Sequence, residues 1–178
     1  LNQEGYKLNI LKNKISIVAK DEAGLFYAFT TLDQLIEDSK DQNVNLPMVS
    51  IKDYPLLKFR PIHIDVKHHM EKKSYYFNLI DHLAKQKING IIVEFEDKLK
   101  YELRPEIGSP DALSIEWWIE LSEYANSRNI MINPLVQGLG HASFILKHEK
   151  NKHLRDVSSS DWAFNPLDPE TYQLQFDL

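Results

Sequence analysis

Apolar and polar positions alternate along Tyr6-Lys-Leu-Asn-Ile10 and again along Ile15-Ser-Ile-Val18. That is the two-residue period of half-buried strands, and Lys12-Asn13 between them suits a hairpin turn. Asp21 stands where it can cap a helix whose apolar positions Leu25, Phe29, Leu32, Leu35 and Ile36 follow helical spacing. A polar, turn-rich stretch from Asp38 to Asn45 comes next, then a short edge strand from Pro47 to Lys52. Asp53-Tyr-Pro55 reads as a linker, so residues 1–52 form a small α+β unit or the end of one.

After Pro55 the rhythm changes. A strand over 59–66 precedes a helix from Ser74 to Gln86, with Leu79, Ile80 and Leu83 on one face. Lys87-Ile-Asn89 turns tightly into a second strand from Gly90 to Phe95. A second helix from Ser114 to Arg128 carries Trp117, Trp118, Leu121 and Ala125, and a third strand runs from Ile130 to Val136. Asp168-Pro169 supplies an N-cap and a proline at the first helical position for a third helix starting near Glu170.

The αβ turns are short and the βα connections, Glu96 to Leu113 and Gln137 to Leu167, are long. Such asymmetry belongs to a barrel whose working face is built from its βα loops. A doubly wound sheet shares the alternation, but no glycine-rich phosphate loop follows any strand. The expected fold class is α/β: the first three βα units of a TIM barrel over residues 53–178, preceded by the end of a small α+β domain over 1–52. Three units cannot close eight strands. The chain is therefore expected to be an N-terminal fragment, with the remainder of its own barrel as a partner.

With 43% hydrophobic and 11% aromatic residues among 178, a packed core is within reach. The net charge of -5 argues against a nucleic-acid surface. The basic run from Lys147 to Lys152 is interrupted by Glu149 and reads as a solvated helix face. No cysteine is present, which removes disulfides and thiolate chemistry. No run approaches the roughly 18 apolar residues of a membrane span.

Candidate chemistry collects at the strand ends. The first ends in Asp65-Val-Lys-His68-His69, with His63 two residues before Asp65. A His-x-His pair there would suggest a divalent metal. The pair is instead His63-x-Asp65, and the adjacent His68 and His69 point in different directions. No metal or other cofactor is expected, and a metal-dependent hydrolase stands as an alternative. At the second strand end Glu94 and Glu96 share a face by alternation, and Asp97 opens the loop or takes the other face. Paired carboxylates serve as acid and base in sugar hydrolysis; they also pair structurally, here with Lys98 or Arg104, and both readings stand. The third strand ends in Gln137-Gly-Leu-Gly-His141. His141 is either a structural histidine or the partner of Asp97 in a hydrogen bond that would fix its tautomer. Trp162, in the last long loop, is either a stacking platform for a sugar or part of the loop's own packing.

Several ordered motifs carry a family resemblance. Glu4-Gly-Tyr-Lys-Leu8, Ile15-Ser-Ile17 and Glu22-Ala-Gly-Leu-Phe-Tyr-Ala-Phe-Thr-Thr-Leu-Asp-Gln-Leu35 resemble the end of the small domain preceding the barrel in family 20 glycoside hydrolases, the β-N-acetylhexosaminidases. Ile51 to Pro55, Phe59-Arg60 through Asp65-Val66, and Asn165 to Tyr172 resemble the same family. Glu94-Phe-Glu-Asp-Lys98 and Pro134-Leu-Val-Gln137 with Gly140-His141 are similar to its hexosaminidase D-like branch.

The resemblance implies removal of a terminal, non-reducing N-acetylhexosamine, GlcNAc or GalNAc, from a glycan by a retaining, substrate-assisted route. The substrate's own acetamido oxygen attacks the anomeric carbon, a Glu acts as general acid and an adjacent Asp orients the acetamido group. It implies that Arg60 binds hydroxyls of the terminal sugar and that Asp97 and His141 form a dyad supporting the acid Glu. Glu96, Gln137 and Trp162 join Arg60 as candidate substrate contacts. The catalytic Asp-Glu pair belongs at the end of a fourth strand. The only Asp-Glu dipeptide here is Asp21-Glu22, which helix capping explains, so these 178 residues alone are expected to be inactive. Departures from the family pattern are Pro61 for a Gly, Gln137 for an Asp and His68 for an Arg. A non-catalytic sugar-binding or degenerate relative of the same fold is the alternative.

Overall fold

A computed structural model describes all 178 residues. Strands β1 (Tyr6–Leu11) and β2 (Lys14–Ala19) form an antiparallel hairpin in which Leu11 faces Lys14, so Lys12-Asn13 is the turn. Strand β3 (Val49–Asp53) pairs with the other side of β1, giving the order β2-β1-β3 with β3 at an edge, as the pattern predicts. Tyr6, Leu8 and Ile10 point into the core and Lys7 and Asn9 away from it. Helix α1 (Glu22–Asp41) covers that face with Tyr27, Ala28 and Leu32. The Asp21 carboxylate accepts the Gly24 amide at 2.8 Å, the expected cap.

The buried stripe of α1 differs from the expected one. Leu32, Leu35 and Ile36 do pack against the core, but Leu25 and Phe29 are exposed. Gly24 explains the rotation. A Cβ there would lie 2.7 Å from the Gly5 carbonyl oxygen, so the glycine face meets the strand entry and turns Leu25 and Phe29 outward.

The second sheet has the order β4-β5-β6, from β4 (Pro61–Asp65), β5 (Gly90–Glu94) and β6 (Met131–Leu135). Its strands are parallel, with α2 (Lys73–Lys85) and α3 (Ile115–Asn126) as the two crossovers. Helix α2 buries Tyr76, Ile80 and Ala84, and α3 buries all four predicted residues, Trp117, Trp118, Leu121 and Ala125. Tyr76, Phe77, Phe95, Trp117 and Trp118 meet mostly edge to face, with centroids 4.5 to 6.4 Å apart.

The long connections are more ordered than their polarity suggests. The first holds a 3₁₀ turn, Glu96–Lys98, and a parallel bridge between Leu99 and Leu113. The second contains α4 (Ser143–Leu146), a 3₁₀ segment Glu149–Leu154 and a bridge between Arg155 and Phe164. Helix α5 (Pro169–Phe176) then starts at the expected cap, the Asp168 carboxylate accepting the Glu170 amide at 2.9 Å. Tyr101, Ile107, Phe144, Ile145, Leu146, Leu154, Phe164 and Leu174 build a core of their own from these connections and α5.

Two compact units result. One comprises Leu1–Pro61, Asn78–Gly90 and Ala125–Met131; the other comprises Ile62–Phe77, Ile91–Tyr124 and Ile132–Leu178.

Candidate active site

Within the second unit, a cavity of about 350 Å³ is lined by Lys67, His68, Glu96, His141, Ser143 and Trp162. Lys67 and His68 follow β4, Glu96 follows β5 and His141 follows β6. Each therefore stands beyond the C-terminal end of its parallel strand, where α/β folds mount their chemistry.

The centre of the site is the Lys67 ammonium. It lies 2.7 Å from Glu94 Oε1, 3.3 Å from Glu96 Oε1 and 3.7 Å from Asp65 Oδ2. Lys67 and Glu94 are only 13% and 6% exposed at their side chains, so water does little to stabilise either charge. Glu94 also accepts a 2.6 Å hydrogen bond from Gln137 Nε2 and sits 3.2 Å from His63 Nε2. Burial pushes the Glu94 carboxyl up, but the bonds from Lys67 and Gln137 outweigh it and hold the group below its ordinary range. The hydrogen bond to Glu94 in turn raises Lys67.

Glu96 goes the other way. Burial raises its carboxyl and the ion pair with Lys67 offsets this only in part, with Glu94 and Asp65 adding repulsion. Its backbone is left-handed, φ 43°, and is held by Tyr101, whose hydroxyl donates to the Glu96 carbonyl at 2.7 Å. His141 is also left-handed, at φ 56°. Both residues line the cavity, so two of its side chains are set on backbone in this sparsely populated region.

Trp162, 53% exposed, lies against the His141 ring with centroids 4.2 Å apart. Its loop is tied to the His141 loop by Ala142 N donating to the Trp162 carbonyl at 3.0 Å and by Phe164 N donating to that of Leu139 at 3.0 Å. A Cβ on Gly140 would stand 3.4 Å from Trp162 Nε1, so the indole rests against the glycine backbone.

Of the residues singled out from the sequence, Glu96, His141 and Trp162 line one cavity, and Gln137 reaches it through Glu94. Asp97 and His141 are not brought together. The 3₁₀ turn swings the Asp97 carboxylate to Lys98, at 3.5 Å, and Lys147, at 3.4 Å, so the expected hydrogen bond between the two is absent and the carboxylate sharing the cavity with His141 is Glu96. The Lys98 alternative for the carboxylates holds for Asp97, whereas Arg104 pairs with Asp177.

Arg60 lies just before β4, in the first unit. Its guanidinium donates to the carbonyls of Lys87 and Leu57 at 2.8 and 2.9 Å, to Glu4 Oε2 at 2.8 Å and to Tyr27 Oη at 3.0 Å. Its donors are spent within the protein. Lys67 and Ser143 are the cavity residues that local pattern missed, and His68 enters that pattern only as a candidate metal ligand. A signal existed: three carboxylates converging on neighbouring strand ends require a cation among them.

The fold is shared with known carbohydrate-cleaving enzymes. A crystal structure of a β-N-acetylhexosaminidase from Bacteroides fragilis NCTC 9343 superposes over 98% of this chain and 39% of its own, with a TM-score of 0.81 at 23% identity. Residues 1–54 match the family model for glycosyl hydrolase family 20, domain 2. Hexosaminidase D of Homo sapiens is 32% identical over 66% of this chain and 24% of its own length. A Vibrio vulnificus β-hexosaminidase is 25% identical over 88% of this chain and 22% of its own. The chain belongs to glycosyl hydrolase family 20. It spans about a quarter of the length of these curated relatives.

Proposed function

We propose that the chain contributes the sugar-recognition side of an exo-β-N-acetylhexosaminidase, acting on terminal N-acetylhexosamine by the substrate-assisted, retaining route. The observation that carries this is the cavity beyond three consecutive parallel strands, where an enclosed carboxylate, a histidine and an exposed tryptophan face one volume. Relatives named β-hexosaminidase and hexosaminidase D support the substrate class. On this proposal residues 1–52 are the end of the small α+β domain, residues 53–178 are the first three βα units of a TIM barrel, and the remaining strands come from the rest of the same barrel.

In the reaction, Trp162 stacks on the apolar face of the sugar, while Glu96 accepts from a ring hydroxyl. His141, lining the same cavity as Glu96, is the histidine of the dyad that supports the acid Glu. The acid Glu and the Asp that orients the acetamido group are supplied by the fourth strand. The 178 residues alone therefore bind sugar without turning it over. Isothermal titration with N-acetylglucosamine should show binding, and a chromogenic N-acetylglucosaminide should stay intact. Turnover by this chain would overturn the division of labour, and absence of any N-acetylhexosamine binding would overturn the function.

A further inference from the structure

Helix α1 covers one face of the sheet β2-β1-β3, and the opposite face is set by the alternate residues of each strand. The pairing register puts Lys7 on β1 directly opposite Lys52 on β3, and Leu11 opposite Lys14 on β2. All three lysines are exposed, and none of their side chains enters an ion pair or a hydrogen bond. No outward position on these strands is acidic, in a chain whose net charge is -5. Like charges directly opposite each other on neighbouring strands destabilise a sheet. The Lys7–Lys52 pair therefore carries a cost that no carboxylate on this face offsets, and an anion laid across the two lysines relieves it.

We propose that this outer face binds a linear acidic polysaccharide, with Lys7, Lys52 and Lys14 as its charged contacts. The site is independent of the sugar-binding function above. Its two cationic ends stand four residues apart along β1, about 13 Å, which suits an extended chain of charges over a single small anion. Between them Ser16, Asn9 and Ser50 lie side by side across the three strands. Ser50 Oγ donates to Asn9 Oδ1 at 2.6 Å, which leaves the Asn9 amide nitrogen to donate outward. Neutral hydrogen-bonding groups between cations match sugar rings between acidic substituents. No outward position is aromatic, so the face lacks the stacking platform of a single-stranded nucleic-acid site. Polar residues also stand between Leu11 and Val18, its apolar positions, so it has no apolar stripe to enter a lipid layer.

The test is titration of the 178-residue chain with dextran sulfate at low salt, compared with uncharged dextran, single-stranded DNA and phosphatidylserine vesicles. Dextran sulfate should bind and dextran should not, and affinity should fall about tenfold when salt is raised from about 50 to about 200 mM. Lys7→Gln and Lys52→Gln should each weaken binding about threefold, and the two together about tenfold. Lys150→Gln, in the basic run of the other unit, should leave affinity as in wild type. Circular dichroism monitors folding. Lys7→Glu gives a second readout: facing Lys52 with the opposite charge, it should raise the urea midpoint while weakening binding further than Lys7→Gln does. No binding of dextran sulfate, affinity unchanged in the folded Lys7 and Lys52 variants, or an equal loss from Lys150→Gln overturns the site. A midpoint for Lys7→Glu no higher than that of wild type overturns the charge conflict on which it rests. Tighter binding of DNA or of vesicles than of dextran sulfate overturns the polysaccharide as its occupant.

Discussion

Two cation-centred clusters, one in each unit, use the same ingredients to opposite ends. In the first unit the Arg60 guanidinium is saturated and Lys87 spends two of its three donors within the protein. Arg60 meets two carbonyls, Glu4 and Tyr27, while Lys87 Nζ meets Asp53 Oδ2 at 2.8 Å and Tyr6 Oη at 2.9 Å. The Tyr6 hydroxyl has two further partners, donating to Asp53 Oδ2 at 3.0 Å and meeting Thr31 at 2.6 Å. In the second unit Lys67 gathers three carboxylates, satisfies Glu94 and leaves Glu96 facing a cavity. A closed network fixes a fold; an open one holds bonding capacity for a ligand. The number of unspent donors and acceptors separates the two, more than residue type or burial does.

The largest effect that tests this contrast is expected from Arg60→Met. The substitution leaves Glu4 without its cation and two carbonyls without donors, and should cost about 3 kcal/mol of unfolding free energy. Urea denaturation measures the loss, and sugar affinity per folded molecule should stay as in wild type. A stable variant that no longer binds sugar would reverse the assignment of the two clusters.

Glu94→Gln comes next. It removes the buried negative charge that Lys67 and Gln137 hold, at about 2 kcal/mol, with Glu96 and Asp65 still present to limit the loss. Its pH signature is distinctive. Because the folded Glu94 carboxyl lies below its ordinary 4.5, the unfolded chain binds the proton more tightly. The stabilisation is thus complete above 4.5 and disappears as pH falls through the lowered folded value. Wild type should lose stability in that acid window by an increment that Glu94→Gln lacks, measured as the difference in urea midpoints across the window.

These residues also show what local pattern can and cannot reveal. Strands, helices and both Asp caps were legible because their signals lie within a few residues: alternation in β1 and β2, the cap at Asp21, and Asp168-Pro169 before α5. Glu94 and Glu96 could be placed on one face by the same period, and both do meet Lys67. Lys67 itself could not be found that way, since its partners are 27 and 29 positions along the chain and only the folded sheet brings them close. The hydrogen bond between Asp97 and His141 is absent for a related reason. Alternation ends with β5 at Glu94, and the left-handed turn at Glu96 then decides where Asp97 points. The core of Phe144, Ile145 and Leu146 was hidden because a four-residue helix is too short to show a period.

Trp162→Ala should move stability by no more than about 0.5 kcal/mol, because the indole is half exposed and its loop is held by backbone bonds at Ala142 and Phe164. Sugar affinity should fall severalfold with the stacking surface gone. Unchanged affinity in titration calorimetry would assign Trp162 to the packing of its own loop and narrow the open cluster to Lys67 and Glu96.

The smallest stability effect, and the sharpest, belongs to Glu96→Gln. Its carboxyl is raised above the ordinary 4.5 by burial, so the folded chain holds the proton more tightly than the unfolded one. The sign is therefore opposite to that of Glu94: this component of stability is lost as pH rises from 4.5 through the raised folded value. Gln keeps the shape without the charge. Near neutral pH it should leave unfolding free energy within about 0.5 kcal/mol of wild type or raise it slightly, while sugar affinity drops. Two carboxylates on one ammonium would then respond to pH in opposite directions, one holding the fold together and the other held open at its expense. A Glu96→Gln variant destabilised as strongly as Glu94→Gln would show that Glu96 belongs to a closed network after all.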